Sequence, residues 1–159
     1  MMINSISPLQ LKKFLSDGQE IALFDVREHG QYGEGHLFFA CSLPYSRLEF
    51  DISRLAPRKN CRIVIYDQDG HDVSLPALTS LQSIGYSNVS ILEGGASGWA
   101  KAGFTLFAGV NLPSKTFGEL VEHQCHTPRL SVQEVAGMIE SGQQFVLLDG
   151  RPLSEFKKM

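Results

Sequence analysis

Residues 63–72 read IVIYDQDGHD, a short apolar run that ends in a polar loop containing a glycine. A continuous apolar run of this length is typical of a buried strand in a parallel sheet. Open α/β sheets bind their ligands at the carboxyl ends of such strands. The candidate site is therefore the loop Asp67, Gln68, Asp69, Gly70, His71 and Asp72. The loop begins with an acid and holds neither a cysteine nor a serine.

Apolar runs on both sides of this stretch alternate with segments of helical pattern. We predict strands at residues 21–26, 40–43, 62–66 and 88–92, and helices at residues 8–16, 46–55, 73–84 and 98–102. Strands separated by helices are typical of βαβ units. The sequence therefore predicts an α/β fold, a small parallel β-sheet flanked by helices on both faces.

Composition excludes several classes of protein. Of the 159 residues, 43% are hydrophobic and 19% are charged, which is typical of a folded globular chain. The net charge of −3 predicts no nucleic-acid partner. We find no apolar run long enough to cross a bilayer and no secretion signal, so we expect a cytoplasmic protein without a membrane partner. Three cysteines, Cys41, Cys61 and Cys125, are too few for a disulfide framework and are expected to be reduced thiols.

The beginning of the chain recurs near its end. The matching residues, each pair 124 positions apart, are Ser7 and Ser131, Gly18 and Gly142, Gln19 and Gln143, Leu23 and Leu147, Asp25 and Asp149, and Arg27 and Arg151. A constant offset indicates an internal repeat. We therefore predict a first domain at residues 1–106, a linker at 107–128 and the truncated start of a second domain at 129–159. The linker pattern indicates one weak helix with a capping box from Thr116 to Glu119.

Two motifs flank the central strand, one on each side along the chain. They contain Asp25 and Arg27 followed by Tyr32 and Gly35-His36, and Gly94-Gly95 followed by Trp99 and Gly103-Phe104. In this order they resemble the rhodanese-like sulfurtransferase family. We expect Asp25 and Arg27 to brace neighbouring loops by bidentate bonding. We expect structural roles for Gly35, His36, Gly94, Gly95 and Trp99.

The resemblance implies a specific chemistry for the loop. In rhodaneses it begins with a cysteine, which takes a sulfane sulfur from a donor such as thiosulfate and passes it on from a persulfide. Asp67 stands at that position, so we expect no catalytic residue, metal or cofactor in this domain. A carboxylate there can itself accept the N–H bonds of the loop. We expect a docking or regulatory role beside later rhodanese-like domains of the same polypeptide. Self-association of the chain is the second interaction that we consider.

Two other functions remain open at this point. Residues 63–70 also match the nucleophile motif of haloacid dehalogenase-like phosphatases, in which the first aspartate attacks phosphorus beside a magnesium ion. An aspartate-based phosphatase or metal-assisted hydrolase is therefore one alternative. The acids Asp67, Asp69 and Asp72 leave a cation or small-ligand sensor as the other. The triplet of Cys125 with His123 and His126 lacks a fourth ligand at a suitable spacing for zinc.

Overall fold

The predicted strands form one parallel sheet in the computed structural model, which describes residues 4–157. The chain divides into two units, Met1–Glu119 and Leu120–Met159. The sheet of the first unit has the order β1-β5-β4-β2-β3, and every adjacent pair runs parallel. Its strands are β1 Ser5–Ile6, β2 Ala22–Asp25, β3 Cys41–Ser42, β4 Ile63–Tyr66 and β5 Val89–Leu92.

Helices cover both faces of this sheet, as an α/β fold requires. They are α1 Pro8–Phe14, α2 His29–Glu34, α3 Leu48–Leu55, α4 Ser74–Ser83 and α5 Gly95–Lys101, followed by α6 Leu112–Cys125. One apolar layer joins the sheet to α3 and α4, and the other joins it to α1, α2 and α5. The prediction of a small parallel sheet between two helical layers is confirmed.

Strand β4 shows why its sequence is apolar at every position. Ile63 and Ile65 lie in the layer with α3 and α4, whereas Val64 and Tyr66 lie in the layer with α1 and α5. All four side chains are fully buried. Successive side chains of a strand point to opposite faces, so a strand with a core on each side needs an unbroken apolar run.

Several element boundaries differ from those predicted. The strand β1 and the six-residue helix α2 were missed, and α5 begins at Gly95 rather than at residue 98. A 3₁₀ turn, Tyr45–Arg47, precedes α3 where one continuous helix was expected. The capping box at Thr116 is wrong, because α6 begins at Leu112 and Thr116 lies inside the helix. The domain limits 1–106, 107–128 and 129–159 stay a prediction.

The second unit contains the end of α6 and the helices α7 Val132–Glu140 and α8 Leu153–Phe156. Its local geometry matches the start of the first unit. Ser131 accepts from the backbone N–H of Glu134 at 3.2 Å, as Ser7 does from Gln10 at 3.2 Å. The glycines of the repeat share a left-handed backbone, with φ of 69° at position 142 and 73° at position 18. The Arg151 backbone N–H donates to Asp149 at 2.9 Å, and the equivalent bond to Asp25 measures 3.0 Å.

The counterpart of β2 in this second unit is not paired. Between α7 and α8, residues 145–150 form no strand. Val146, Leu147 and Leu148 are 79%, 77% and 84% exposed, respectively. An apolar segment that forms a central strand in the first unit is therefore presented to solvent in the second. In the described part of the chain, no helix combines the length and apolarity needed to cross a membrane.

Candidate functional site

Asp67 is the first residue after β4, and its carboxylate closes the loop that leads into α4. One oxygen, Oδ1, accepts from the backbone N–H of Gly70. The other, Oδ2, accepts from the N–H groups of Val73 at 2.8 Å and Ser74 at 2.9 Å. Val73 supplies no capping side chain for α4. The carboxylate therefore binds backbone donors that a helix N-terminus leaves without intrahelical partners.

The environment of Asp67 favours its ionised form. The residue is 1% exposed, and this burial alone raises the pKa of its carboxyl group. The hydrogen bonds from the N–H groups of Ser74, Gly70 and Val73 outweigh burial, so the pKa lies below its ordinary value. The loop thus holds a complete negative charge at neutral pH, and its own backbone donors are directed at that charge.

The glycine pair at the start of α5 packs directly against this loop. Gly95 has φ of 55°, and a Cβ atom there would collide with the carbonyl oxygen of Asp67. The N–H of Ala96 donates to that same carbonyl at 2.9 Å, and the N–H of Ser97 donates to the carbonyl of Gln68 at 2.9 Å. A side chain at position 95 would separate the two segments, so the close approach requires glycine.

A buried ion pair fixes the loop from the other side. The Arg27 guanidinium contacts the Asp25 carboxylate through Nη2 at 2.5 Å and Nε at 2.9 Å, and both side chains are almost fully buried. Arg27 also donates to Oε1 of Gln68 at 2.7 Å and to the carbonyl of Gly35 at 2.6 Å. Gln68 in turn donates to Oγ of Ser97 at 2.9 Å. This chain of contacts connects β2, the loop and α5.

Comparison with known proteins assigns the family. The family model for the rhodanese-like domain matches residues 7–102. The chain belongs to the rhodanese-like domain family. A sulfurtransferase of Allochromatium vinosum is 30% identical over 107 residues, which are 67% of this chain and 97% of that protein. The crystal structure of a thiosulfate sulfurtransferase from Pseudomonas aeruginosa superposes with a TM-score of 0.90 at 42% identity.

The coverage of these relatives differs widely. The match to the Pseudomonas structure covers 97% of this chain but 29% of that protein. A probable adenylyltransferase/sulfurtransferase of Mycobacterium tuberculosis, MoeZ, is 29% identical over 62% of this chain and 25% of its own length. This rhodanese-like chain therefore spans less than a third of two of the longer proteins that it resembles.

The remaining motif residues of the rhodanese-like domain have packing contacts. His36 is fully buried, donates from Nδ1 to the carbonyl of Tyr32 at 3.0 Å, and stacks on the ring of Tyr32 with centroids 3.9 Å apart. The indole N–H of Trp99 donates to the carbonyl of Thr105 at 3.1 Å. These contacts hold the layer of α1, α2 and α5 together.

None of the three cysteines of this rhodanese-like chain belongs to the Asp67 loop. Cys61 precedes β4, at the opposite end of that strand from Asp67, and burial raises the pKa of its thiol. Cys41 is exposed in the edge strand β3, and Cys125 is exposed at the end of α6. Among residues 4–157, no three histidine, cysteine or acidic side chains converge as a metal site would require. Asp69, His71 and Asp72 are exposed on the loop.

The sequence pointed to the acid at the head of the loop and to loop N–H groups as its partners, but not to which N–H groups donate. The donors at Val73 and Ser74 are backbone groups, which carry no residue-type signal. The link from Gln68 to Ser97 depends on how α5 approaches the loop. For Gln68, the sequence offered one signal, a polar side chain directly after Asp67.

Proposed function

We propose that this rhodanese-like domain is a non-catalytic module of a longer thiosulfate sulfurtransferase, in which Asp67 replaces the nucleophilic cysteine. It serves a docking or regulatory role beside later rhodanese-like domains of the same polypeptide. The observation that carries the proposal is the carboxylate of Asp67, which accepts three backbone N–H bonds at the start of α4. The family match and the 42% identity to part of a thiosulfate sulfurtransferase support the parent activity.

Asp67 prevents sulfur transfer for two physical reasons. A carboxylate oxygen is a hard and weakly nucleophilic atom, whereas sulfur transfer through a persulfide requires a thiolate. The carboxylate also fills the donor cradle with a fixed negative charge. An anionic donor such as thiosulfate would have to approach that charge, and like charges at short range repel.

The docking role rests on the second unit. Its capping serine, left-handed glycine and Asp–Arg pair reproduce the geometry at the start of the first unit. The apolar residues 146–148 are exposed, although their counterparts lie within the first sheet. Unpaired apolar strands bind other strands readily. We infer that strands of a following rhodanese-like domain cover this segment in the longer polypeptide, and that self-association of the chain is the alternative.

The structure gives no support to the two rival functions. A phosphatase nucleophile must present a free carboxylate oxygen to phosphorus. Both oxygens of Asp67 are hydrogen bonded, and the residue is 1% exposed. A cation sensor would need the loop acids to converge, whereas Asp69 and Asp72 are exposed on the loop and form no cluster with Asp67 among the described residues.

The test is thiocyanate formation from thiosulfate and cyanide by the chain and by its Asp67→Cys variant. In the variant, the thiolate attacks the sulfane sulfur, the S–S bond breaks and sulfite leaves with the electron pair. Cyanide then attacks the terminal sulfur of the persulfide, and this step releases thiocyanate and restores the thiolate. We expect no turnover by the parent chain and measurable turnover by Asp67→Cys.

Asp69→Cys is the matched control, because it places a thiol two residues further along the same exposed loop. It is expected to be silent, since its thiol lies outside the N–H cradle. Turnover by the parent chain would refute the non-catalytic role. A folded but silent Asp67→Cys variant, verified by circular dichroism, would show that more than the nucleophile has changed and would remove the support for Asp67 as its replacement.

A further inference from the structure

A cavity of about 390 Å³ in the first unit lies beside α1 and α5, next to the segments 37–39 and 103–107. None of its lining residues belongs to the Asp67 loop. Half of its lining residues are aromatic, namely Phe38, Phe39, Trp99, Phe104 and Phe107. Cavities that bind small molecules measure roughly 300–1,000 Å³ and are mainly apolar with few polar groups. This cavity meets both criteria.

The aromatic wall is held in place by its own contacts. Phe38 lies edge-on to Phe39 and to Phe107, with ring centroids 5.0 Å and 5.2 Å apart. Trp99 contacts Phe104 at a centroid distance of 4.4 Å, and its N–H bond to the carbonyl of Thr105 fixes the indole plane. Phe39 at the rim is 60% exposed. The cavity is thus formed before any ligand enters and keeps a large apolar ring in contact with water.

Lys12 is the one charged residue that lines this cavity. Its Nζ lies 5.9 Å from the centroid of the Phe104 ring, which places the ammonium group beside the aromatic wall. No ion pair joins Lys12 to a carboxylate within the described residues. An apolar cavity with one unneutralised cation complements a ligand with an apolar body and one negative charge.

We propose that this cavity binds a small amphiphilic monocarboxylate, with the apolar body among the aromatic rings and the carboxylate on Lys12. The site is separate from the Asp67 loop and independent of the sulfur-transfer chemistry. Trp99 is the only tryptophan of the chain and forms part of the wall, so its fluorescence reports directly on occupancy.

The experiment titrates the 159-residue chain with decanoate below its micellar concentration, and with decanol as the uncharged probe. We expect a saturable change in Trp99 emission, with matching heats by calorimetry. Lys12→Gln should weaken decanoate binding about fivefold and leave decanol binding within about a factor of two. Phe39→Ala should weaken both ligands about tenfold, because it removes apolar contact area.

Two exposed positions supply matched controls. Lys13→Gln removes a charge from the same helix without touching the cavity, and Phe50→Ala removes an exposed ring on α3. Both should bind decanoate like the parent chain. The proposal is overturned if decanoate does not saturate, or if Lys12→Gln weakens decanol as much as decanoate. It is also overturned if the parent chain dimerises in sedimentation velocity and Phe39→Ala abolishes that dimer, since a second copy would then be the occupant.

Discussion

Replacing Asp67 by asparagine should destabilise the first unit, although the two side chains have nearly the same shape. The carboxylate accepts one N–H bond at Oδ1 and two at Oδ2. An asparagine oxygen can keep the two bonds from Val73 and Ser74. Its NH₂ group then faces the N–H of Gly70, so one buried donor meets another.

The expected size of the effect follows from these contacts. Hydrogen bonds to a charged group each contribute about 1.5–3 kcal/mol, and a charge at a helix N-terminus contributes about 0.3–1 kcal/mol. The variant loses the charge and one bond but keeps two weaker bonds. We therefore expect the free energy of unfolding to fall by about 2–4 kcal/mol. This corresponds to a Tm lower by roughly 10 °C for a unit of this size.

The effect should depend on pH in a defined direction. Asp67 has a lowered pKa in the folded chain, so its ionised form stabilises the fold at pH values above the unfolded pKa of about 3.9. That contribution disappears as the pH falls through the lower folded pKa. The stability difference between the parent chain and Asp67→Asn should thus be complete at pH 7 and shrink below about pH 3.9.

Urea unfolding followed by the emission of Trp99, which is 5% exposed in the first unit, measures this difference. Asp69→Asn is the control, because its side chain is exposed on the same loop and the change should stay within about 0.5 kcal/mol. The reasoning fails if Asp67→Asn matches the parent chain at pH 7. It fails equally if the difference between the two persists unchanged in acid.

Three further changes test other parts of the structure. Arg27→Met leaves Asp25 as an unpaired buried charge, so it should lower the free energy of unfolding, measured with heat or urea, by about 3–5 kcal/mol. A loss below about 1 kcal/mol would contradict the role of this ion pair in bracing the neighbouring loops. Gly95→Ala should lower the free energy of unfolding clearly more than Gly103→Ala. Both glycines have positive φ, but only Gly95 packs against the Asp67 carbonyl. Equal losses of about 1 kcal/mol in the two variants would refute that contact. Leu148→Asp should reduce concentration-dependent association in sedimentation velocity. It should leave the Tm of the first unit unchanged, because Leu148 is 84% exposed. Association that is insensitive to this change would place the interface elsewhere.

The parts of the fold that the sequence predicted are those with a local apolar pattern. The run Ile63–Tyr66 identified β4 because burial on two faces requires apolar residues at every position. Strand β1 has two residues, Ser5 and Ile6, and it pairs with β5, which lies far along the chain. Two residues are too few to show an apolar pattern, so the sequence did not predict this strand. Helix α2 contains two glycines in six residues and no apolar period, and its start is fixed by contacts between Glu28 and Gln31.

The candidate site also has a part that the sequence predicted and a part that it did not. The acid at the head of the loop was visible, because it directly follows the apolar run. The sequence did not predict that the Gly94-Gly95 turn packs against the loop, because this contact depends on the placement of β5 beside β4. The contact between Gln68 and Ser97 joins segments distant in the sequence, and no spacing rule predicts it.

We propose that the residue at position 67 determines whether the same cradle of N–H groups stabilises the fold or remains free to stabilise a reacting anion. With aspartate, the donors of Gly70, Val73 and Ser74 are satisfied within the protein, and α4 has its cap. With cysteine, those donors would face a thiolate, its persulfide or a donor anion, and the cap of α4 would be weaker. Activity and stability should therefore change in opposite directions, as they do where function needs strained or unsatisfied groups. Asp67→Cys should transfer sulfur and also unfold at lower urea concentration than the parent chain. A variant that gained turnover without losing stability would show that the Asp67 carboxylate contributes little to the fold.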